Sequence, residues 1–182
     1  TIKIKKGTKF HDNTEVKAKN FVDAWNYTAY SENGQQQASF FSDIEGFEDV
    51  YAADPDGEEG PQKAPKPKLE KMSGLVVVDD YTFTVKLAAA NSIFPVKLGY
   101  SAYFPMPDSF FAAADKNEWG KKPVGNGAVK FVSWQDNVEI KLTRFDEYTL
   151  DDKVKVKDVT VKLYQEDTAA YADLQANNLD FQ

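Results

Sequence analysis

Apolar and basic side chains alternate over residues 1–6, with Ile2 and Ile4 on one face, a period of two that predicts a short strand. After the turn-forming pair Asp12-Asn13 the period changes. Ala18, Phe21, Val22, Trp25 and Ala29 recur at three- and four-residue steps and predict an amphipathic helix of about 14 residues, its apolar stripe facing a core. Phe40, Phe41, Ile44, Phe47, Val50 and Tyr51 also stand at near-helical spacing, but Gly46 argues against one unbroken helix. Two β-rich runs at 75–79 and 81–87 meet at Asp79-Asp80 and predict a hairpin, with Tyr81, Phe83, Val85 and Leu87 alternating with polar partners. A proline-punctuated aromatic stretch through Pro95, Pro105 and Pro107 leads to a short helix over 110–114 that Asp108 or Ser109 can cap. A second hairpin is predicted over 129–134 and 138–143 around Asp136-Asn137, then a strand over 159–163 and a helix over 168–176. Residues 179–182 predict the opening of a further strand.

Between 54 and 68 the character shifts. Those residues hold four Pro, two Gly and seven charges, with no aliphatic side chain larger than Ala, so they predict an exposed insertion that cannot pack. Both ends of the chain fall within regular patterns rather than polar tails, and the expectation is a piece of a longer protein. A length of 182 residues leaves the domain count open, while 42% hydrophobic and 14% aromatic residues supply ample core material. The net charge of −7 disfavours a nucleic-acid backbone or an anionic membrane as partner. The absence of cysteine excludes disulfides, thiolate metal sites and cysteine nucleophiles, and the one histidine excludes His-rich zinc sites.

Several features invite chemistry, and each has a plainer alternative. His11 is the only imidazole available as a general base, but no serine partner motif accompanies it, and an exposed structural residue is the better expectation. The acidic run from Asp54 to Glu59 lacks the glycine position and the distant bidentate Glu of a calcium loop and reads as solvated. Gly125-Asn126-Gly127 has neither dinucleotide-loop nor P-loop spacing. It reads as a turn where glycine permits positive φ or lets backbone pass close to another strand or a ligand. Phe40, Phe41, Tyr100, Tyr103 and Phe104 can floor a ligand cleft, although core packing is the first expectation for each. Asn26-Tyr27-Thr28 is formally a glycosylation sequon, but it lies inside the predicted helix and is set aside. The alternating lysines from Lys153 to Lys157 read as the polar face of an edge strand.

In order along the chain, these segments resemble the family 5 solute-binding proteins of ABC transporters, the group with the oligopeptide- and dipeptide-binding proteins. Phe10, Asp12, Val16, Ala18, Phe21, Val22 and Trp25 match the family's F-x-D-G-x-x-V-T-A-x-D-F-V-x-S-W pattern. Asp79, Asp80, Thr82, Phe83, Val85 and Leu87 match its G-V-x-x-x-D-D-x-T-F-x-V-x-L hairpin. Val124, Gly125, Asn126, Gly127, Ala128, Lys130 and Trp134 match its P-V-G-N-G-A-Y-K-L-x-x-W segment. Residues 144–148 resemble R-N-P-x-Y, and residues 174–180 resemble L-x-x-G-E-I-D. The likeness covers nearly the whole chain except 54–68. Lys17 and Asn20 replace the family's capping Thr and Asp, so the cap of the first helix is expected to weaken or move to Thr14. Val129, Phe145 and Asn177-Asn178 are further departures, which bear on subtype and ligand more than on fold.

The resemblance implies an α+β (α/β) chain, part of a periplasmic-binding-protein type II clamshell with a mixed sheet, flanking helices and hairpins. It implies that residues 1–106 are most of the extra domain and 107–182 a portion of the first ligand-binding lobe. The implied function is capture of extracellular peptides for import, without catalysis and without cofactor or metal. The implied partners are a peptide and the membrane permease subunits, with the protein monomeric and either periplasmic or a cell-surface lipoprotein. By family position and residue type, the expected ligand-binding residues are Asn126 and Gly127 at the glycine turn, Phe40 and Phe41 on the cleft side, and Phe181 and Gln182 at the crossover. A non-peptide solute, such as an oligosaccharide or a nickel complex, fits the same fold, and a secreted structural or adhesion module fits the surface and hairpins.

Overall fold

The structure is a computed structural model that describes residues 1–56, 64–150 and 154–182. It divides into two compact units, Thr1–Thr8 with Glu15–Phe111, and Lys9–Thr14 with Ala112–Gln182. The division falls five residues beyond the expected 106/107 boundary, and the first unit is interrupted by a loop that folds with the second.

In the first unit β1 (Ile2–Lys3) is much shorter than its alternating pattern, though the Ile4 N–H still reaches the Tyr81 carbonyl at 2.9 Å. The predicted helix forms as α1 (Ala18–Ala29), and Ala18, Val22, Trp25 and Ala29 are all buried. Gly46, at φ 85°, separates a 3-10 turn (Ala38–Phe41) from α2 (Phe47–Val50). A Cβ at Gly46 would lie 2.6 Å from the Ser73 backbone nitrogen, so both space and φ require glycine there. The hairpin β2 (Leu75–Asp79) and β3 (Thr82–Val85) is antiparallel, bulges between Val77 and Asp79, and pairs with β1 in the order β1-β3-β2. Among the prolines, Pro95 sits at the start of α3 (Phe94–Lys97), where proline's missing N–H costs nothing. α4 (Asp108–Ala112) starts two residues earlier than its predicted span.

The cap of α1 is weakened as expected, since the Lys17 side chain caps no helix N–H, but it does not move to Thr14. Lysine has no acceptor to offer, but Asn20 reaches back to accept the Lys17 N–H at 2.8 Å, and the Asp80 carbonyl accepts the Ala18 N–H at 2.7 Å. The Lys17 ammonium meets the Asp80 carboxylate at 2.8 Å, so the hairpin turn itself closes the helix start. The Thr14 hydroxyl is turned to Asp12 instead, at 2.6 Å.

The core of this unit is aromatic. The Trp25 ring lies 5.4 Å from Phe83 and 5.2 Å from Tyr103 edge-on, and 5.9 Å from Phe41. Tyr103 is buried enough that its phenol is pushed up to about 12, with Asp43 adding to the shift, and its hydroxyl donates to the Phe40 carbonyl at 2.5 Å. Polar side chains of α1 satisfy irregular backbone around this core. The Trp25 indole donates to the Tyr103 carbonyl at 2.9 Å, Asn26 accepts the Met72 N–H at 2.8 Å, and Asn20 donates to the Met106 carbonyl at 3.1 Å. Asn26 is buried, which places the formal sequon in the interior.

In the second unit Asp115 caps α5 (Lys116–Gly120), accepting from the Asn117 and Glu118 N–H groups at 2.8 and 3.2 Å. The strands β4 (Val129–Gln135), β5 (Glu139–Arg144) and β6 (Asp158–Lys162) follow in sequential antiparallel order. Asn137, at φ 58°, turns β4 into β5 where Asp136-Asn137 predicted it. Trp134, Ile140 and Val161 line up across one face, and Phe131, Leu142 and Val159 form the neighbouring row. The edge strand begins at Asp158, so Lys155 and Lys157 precede it rather than form its face, and Lys153 lies outside the described residues. α6 (Asp167–Gln175) closes the unit. Residues 179–182 are not a strand, because no neighbouring strand pairs with them among the described residues. Residues 54–56 and 64–68 are irregular and mostly exposed; residues 57–63, with the second half of the calcium-like run, lie outside the described residues.

Two consequences are measurable. Asn26→Leu keeps the side chain's size but strands the buried Met72 N–H, and should lower the unfolding free energy by about 1–3 kcal/mol, read as an earlier urea midpoint with unchanged slope. Asp43 pairs with Lys97 and accepts from Asn91 at 3.1 Å, and the Lys97 contact chiefly holds its carboxyl below the usual range. A depressed carboxyl stabilises the fold above its unfolded pKa and loses that contribution as pH falls through the folded value. The stability gap between wild type and Asp43→Asn should therefore be open at pH 7 and close below about pH 4 in urea titrations.

Candidate functional site

The loop Lys9–Thr14 is tied into a tight turn by its own residues. Asp12 accepts the Thr14 N–H at 3.0 Å, the Phe10 N–H bonds the Thr14 carbonyl at 2.8 Å, and Asn13 takes a left-handed φ of 68°. That turn presents His11 to the stretch Gly125-Asn126-Gly127. The His11 N–H donates to the Gly125 carbonyl at 2.8 Å, the Gly125 N–H donates to His11 Nδ1 at 3.2 Å, and His11 Nε2 meets the Gly127 carbonyl at 2.9 Å. An amide N–H can only donate and a carbonyl can only accept. Nδ1 is therefore the acceptor, Nε2 carries the hydrogen, and the ring is neutral.

Burial is the largest influence on this imidazole and lowers its pKa, with Lys130 acting in the same direction. The Gly127 carbonyl and Asp12 act the other way and are outweighed. The ring edge meets Phe145 with centroids 5.1 Å apart, and the Lys130 ammonium lies 5.8 Å from the same Phe145 ring. Neither Gly125 nor Gly127 has positive φ, contrary to the expectation that φ was one reason for these glycines. At Gly125 a methyl would stand 3.4 Å from His11 Cε1, at the edge of ordinary contact, so space alone does not require glycine there.

Asn126 is half-buried between the two bonded glycines, and its side-chain amide makes no hydrogen bond among the described residues. Beyond it, Ala128, Arg144, Phe145, Asp146, Tyr148 and Val154 line a pocket of about 220 Å³. The Phe145 N–H bonds the Ala128 carbonyl at 2.9 Å, and the Arg144 guanidinium pairs with Asp146 at 2.8 Å. This volume is below the ~300–1,000 Å³ of sites that enclose a whole small ligand, and suits one side chain of a larger one.

The other expected residues are placed elsewhere. Phe40, in the first unit, is half-buried against Tyr100 at 5.4 Å and lines an open groove of about 470 Å³ with Ser39, Ile93, Val96 and Lys97. Phe41 is 0% exposed, packed between Trp25 and Tyr103, so its ring has no face for a ligand and serves the core. Phe181 is 80% exposed, and Gln182 donates to the Asp167 carbonyl at 3.4 Å; neither lines the pocket beside Ala128. His11 and Phe145 are parts of this arrangement that the sequence reading did not place there. Gly125 and Gly127 lie 114 and 116 residues beyond His11, a separation that carries no periodic signal.

The whole chain, residues 1–182, matches the family described as bacterial extracellular solute-binding proteins, family 5 Middle. It is 26% identical over 186 residues to the oligopeptide-binding protein OppA of Bacillus subtilis, covering all of this chain and 31% of that protein. The fold superimposes on the OppA of Burkholderia pseudomallei with a TM-score of 0.79 at 24% identity, covering 98% of this chain and 33% of the other. It superimposes equally, at 0.79 and 25% identity, on the OppA of Haemophilus influenzae in complex with RPPGFSPFR, covering 97% of this chain and 33% of that one. The chain thus spans about a third of the length of these relatives, and its mixed helix-and-sheet structure is of the periplasmic-binding-protein type II kind. The aromatic-rich helix start, the Asp-Asp hairpin, the Gly-Asn-Gly stretch and the match from first residue to last make the chain a member of family 5 of the bacterial extracellular solute-binding proteins.

Proposed function

We propose that the protein to which this chain belongs captures extracellular peptides and hands them to the permease subunits of an ABC transporter, without chemistry on the ligand. The observation that carries this reading is end-to-end similarity to oligopeptide-binding relatives, one of them with a bound peptide sequence. The local chemistry fits. An extended peptide is held largely through its backbone, and Asn126, two residues before Ala128 of the small pocket, carries both a donor and an acceptor. His11, with both ring nitrogens engaged by backbone, has none left to take a proton from a substrate in this arrangement.

In this reading residues 1–106 form most of the family's extra domain and residues 107–182 a portion of its first ligand-binding lobe. Asn126 and Gly127 contact the ligand, Phe40 lends an apolar wall, and Phe181 and Gln182 lie on the path to the second lobe. The protein acts as a monomer outside the cytoplasmic membrane, in the periplasm or as a surface lipoprotein. This segment alone, as one wall of the site, should bind peptide weakly or not at all.

Calorimetry on the full-length protein with a mixed peptide library tests the reading. Binding by some members is expected, and Asn126→Ala should weaken their affinity roughly 2- to 10-fold, the worth of one hydrogen bond, with the melting temperature unchanged. No binding by any peptide would overturn the reading, and an unchanged affinity in the variant would remove Asn126 from the site.

A further inference from the structure

We propose that His11 is a positioning residue for this ligand site: a clip that holds Gly125-Asn126-Gly127 in place from both sides only while its ring is neutral. The inference rests on the peptide-binding reading for its consequence, but not for the clip itself. One imidazole uses both nitrogens on one short stretch of backbone, accepting from Gly125 and donating to Gly127, with Asn126 held between. The His11 backbone N–H adds a third bond, to the Gly125 carbonyl. The ring is also seated against Phe145, the two centroids 5.1 Å apart in an edge-to-face arrangement.

Protonation acts on one side of this clip. A second proton goes to Nδ1, where it faces the Gly125 N–H, so one acceptor is lost and two donors oppose each other. The bond from Nε2 to Gly127 survives and gains charge assistance. The cationic ring therefore keeps Gly127 and releases Gly125, and Asn126 is no longer held from both sides. The charged groups acting on the ring are Lys130, which resists its protonation, and Asp12, which favours it. Burial adds to the resistance, so release belongs to acid conditions, below the ordinary histidine range.

His11 is the only histidine of this sequence, and in imidazole nitrogen spectra of the full-length protein its ring is the signal missing from His11→Asn. At pH 7.5 the Nε2–H tautomer is expected. The titration midpoint should fall below 6.5, and the Gly125 amide should shift and exchange faster with that same midpoint while Gly127 changes less. An Nδ1–H tautomer, a midpoint at or above 6.5, or a Gly125 amide indifferent to the titration would overturn the clip.

A second arm reads the ligand, with the full-length protein and a pool of histidine-free tri- to pentapeptides. Wild-type affinity should fall roughly 2- to 10-fold as pH passes down through the His11 midpoint. His11→Asn, which keeps an acceptor near the Nδ1 position and cannot titrate, should bind with a flat pH profile; His11→Phe, which keeps the ring but neither nitrogen, should bind weakly at every pH. If His11→Phe does not fold, the wild type and His11→Asn decide alone. Binding with the same pH dependence in wild type and His11→Asn would overturn the positioning role. A pool that never binds, with the spectra as expected, would overturn the peptide reading and the ligand consequence while leaving the clip.

Discussion

Much of this chain is neither helix nor strand, and its irregular backbone depends on a few side chains for hydrogen-bond partners. Buried amides and carbonyls left alone cost about 1–3 kcal/mol each, so a fold with many irregular segments must supply partners from elsewhere. In the first unit the supplier is α1: Asn20, Trp25 and Asn26 reach the backbone at Met106, Tyr103 and Met72. In the second it is His11, which serves Gly125 and Gly127. The same helix that fills the core with Trp25 also fixes the surrounding loops, so packing and polar satisfaction there are one arrangement. At His11 the arrangement holds the stretch that carries Asn126.

In the proposed reading the site is a holder. Asn126 stands between two glycines whose amide and carbonyl groups are already committed to His11, which fixes where its side chain is offered. Pre-setting such a group lowers the ordering cost a ligand would otherwise meet on binding. The neighbouring pocket, at about 220 Å³, takes a side chain rather than a molecule, consistent with a ligand that extends beyond this segment. The chain spans 31% of its Bacillus relative, and in the proposed reading the rest of the ligand is met by parts of the protein outside it.

The elements readable in the sequence were those with a strong local period. The apolar steps from Ala18 to Ala29, the alternation about Phe83, and the Asp136-Asn137 turn all form close to where they were expected. Residues 179–182 show the limit, because a strand needs a partner and periodicity does not supply one. α5 and α3 are not among the predicted elements, although Asp115-x-x-Glu118 has the spacing of a helix start and Pro95 suits the first turn of one. The weakened cap of α1 was legible in Lys17, but the Asp80 carbonyl that accepts the Ala18 N–H was not, because it is distant in sequence. Gly125-Asn126-Gly127 was legible as a special stretch, but its partner was not. Phe40 and Phe41 show that burial of adjacent aromatics is decided by packing: one is half exposed on a groove and the other fully enclosed.

Amide hydrogen exchange on the full-length protein, with and without a saturating peptide, tests most directly whether the ligand lands where this account puts it. The account predicts slower exchange at residues 125–128 and in the segment around Tyr148, with the amides of α1 unchanged. Protection confined to other regions, with residues 125–128 exchanging as fast as in the free protein, would contradict it.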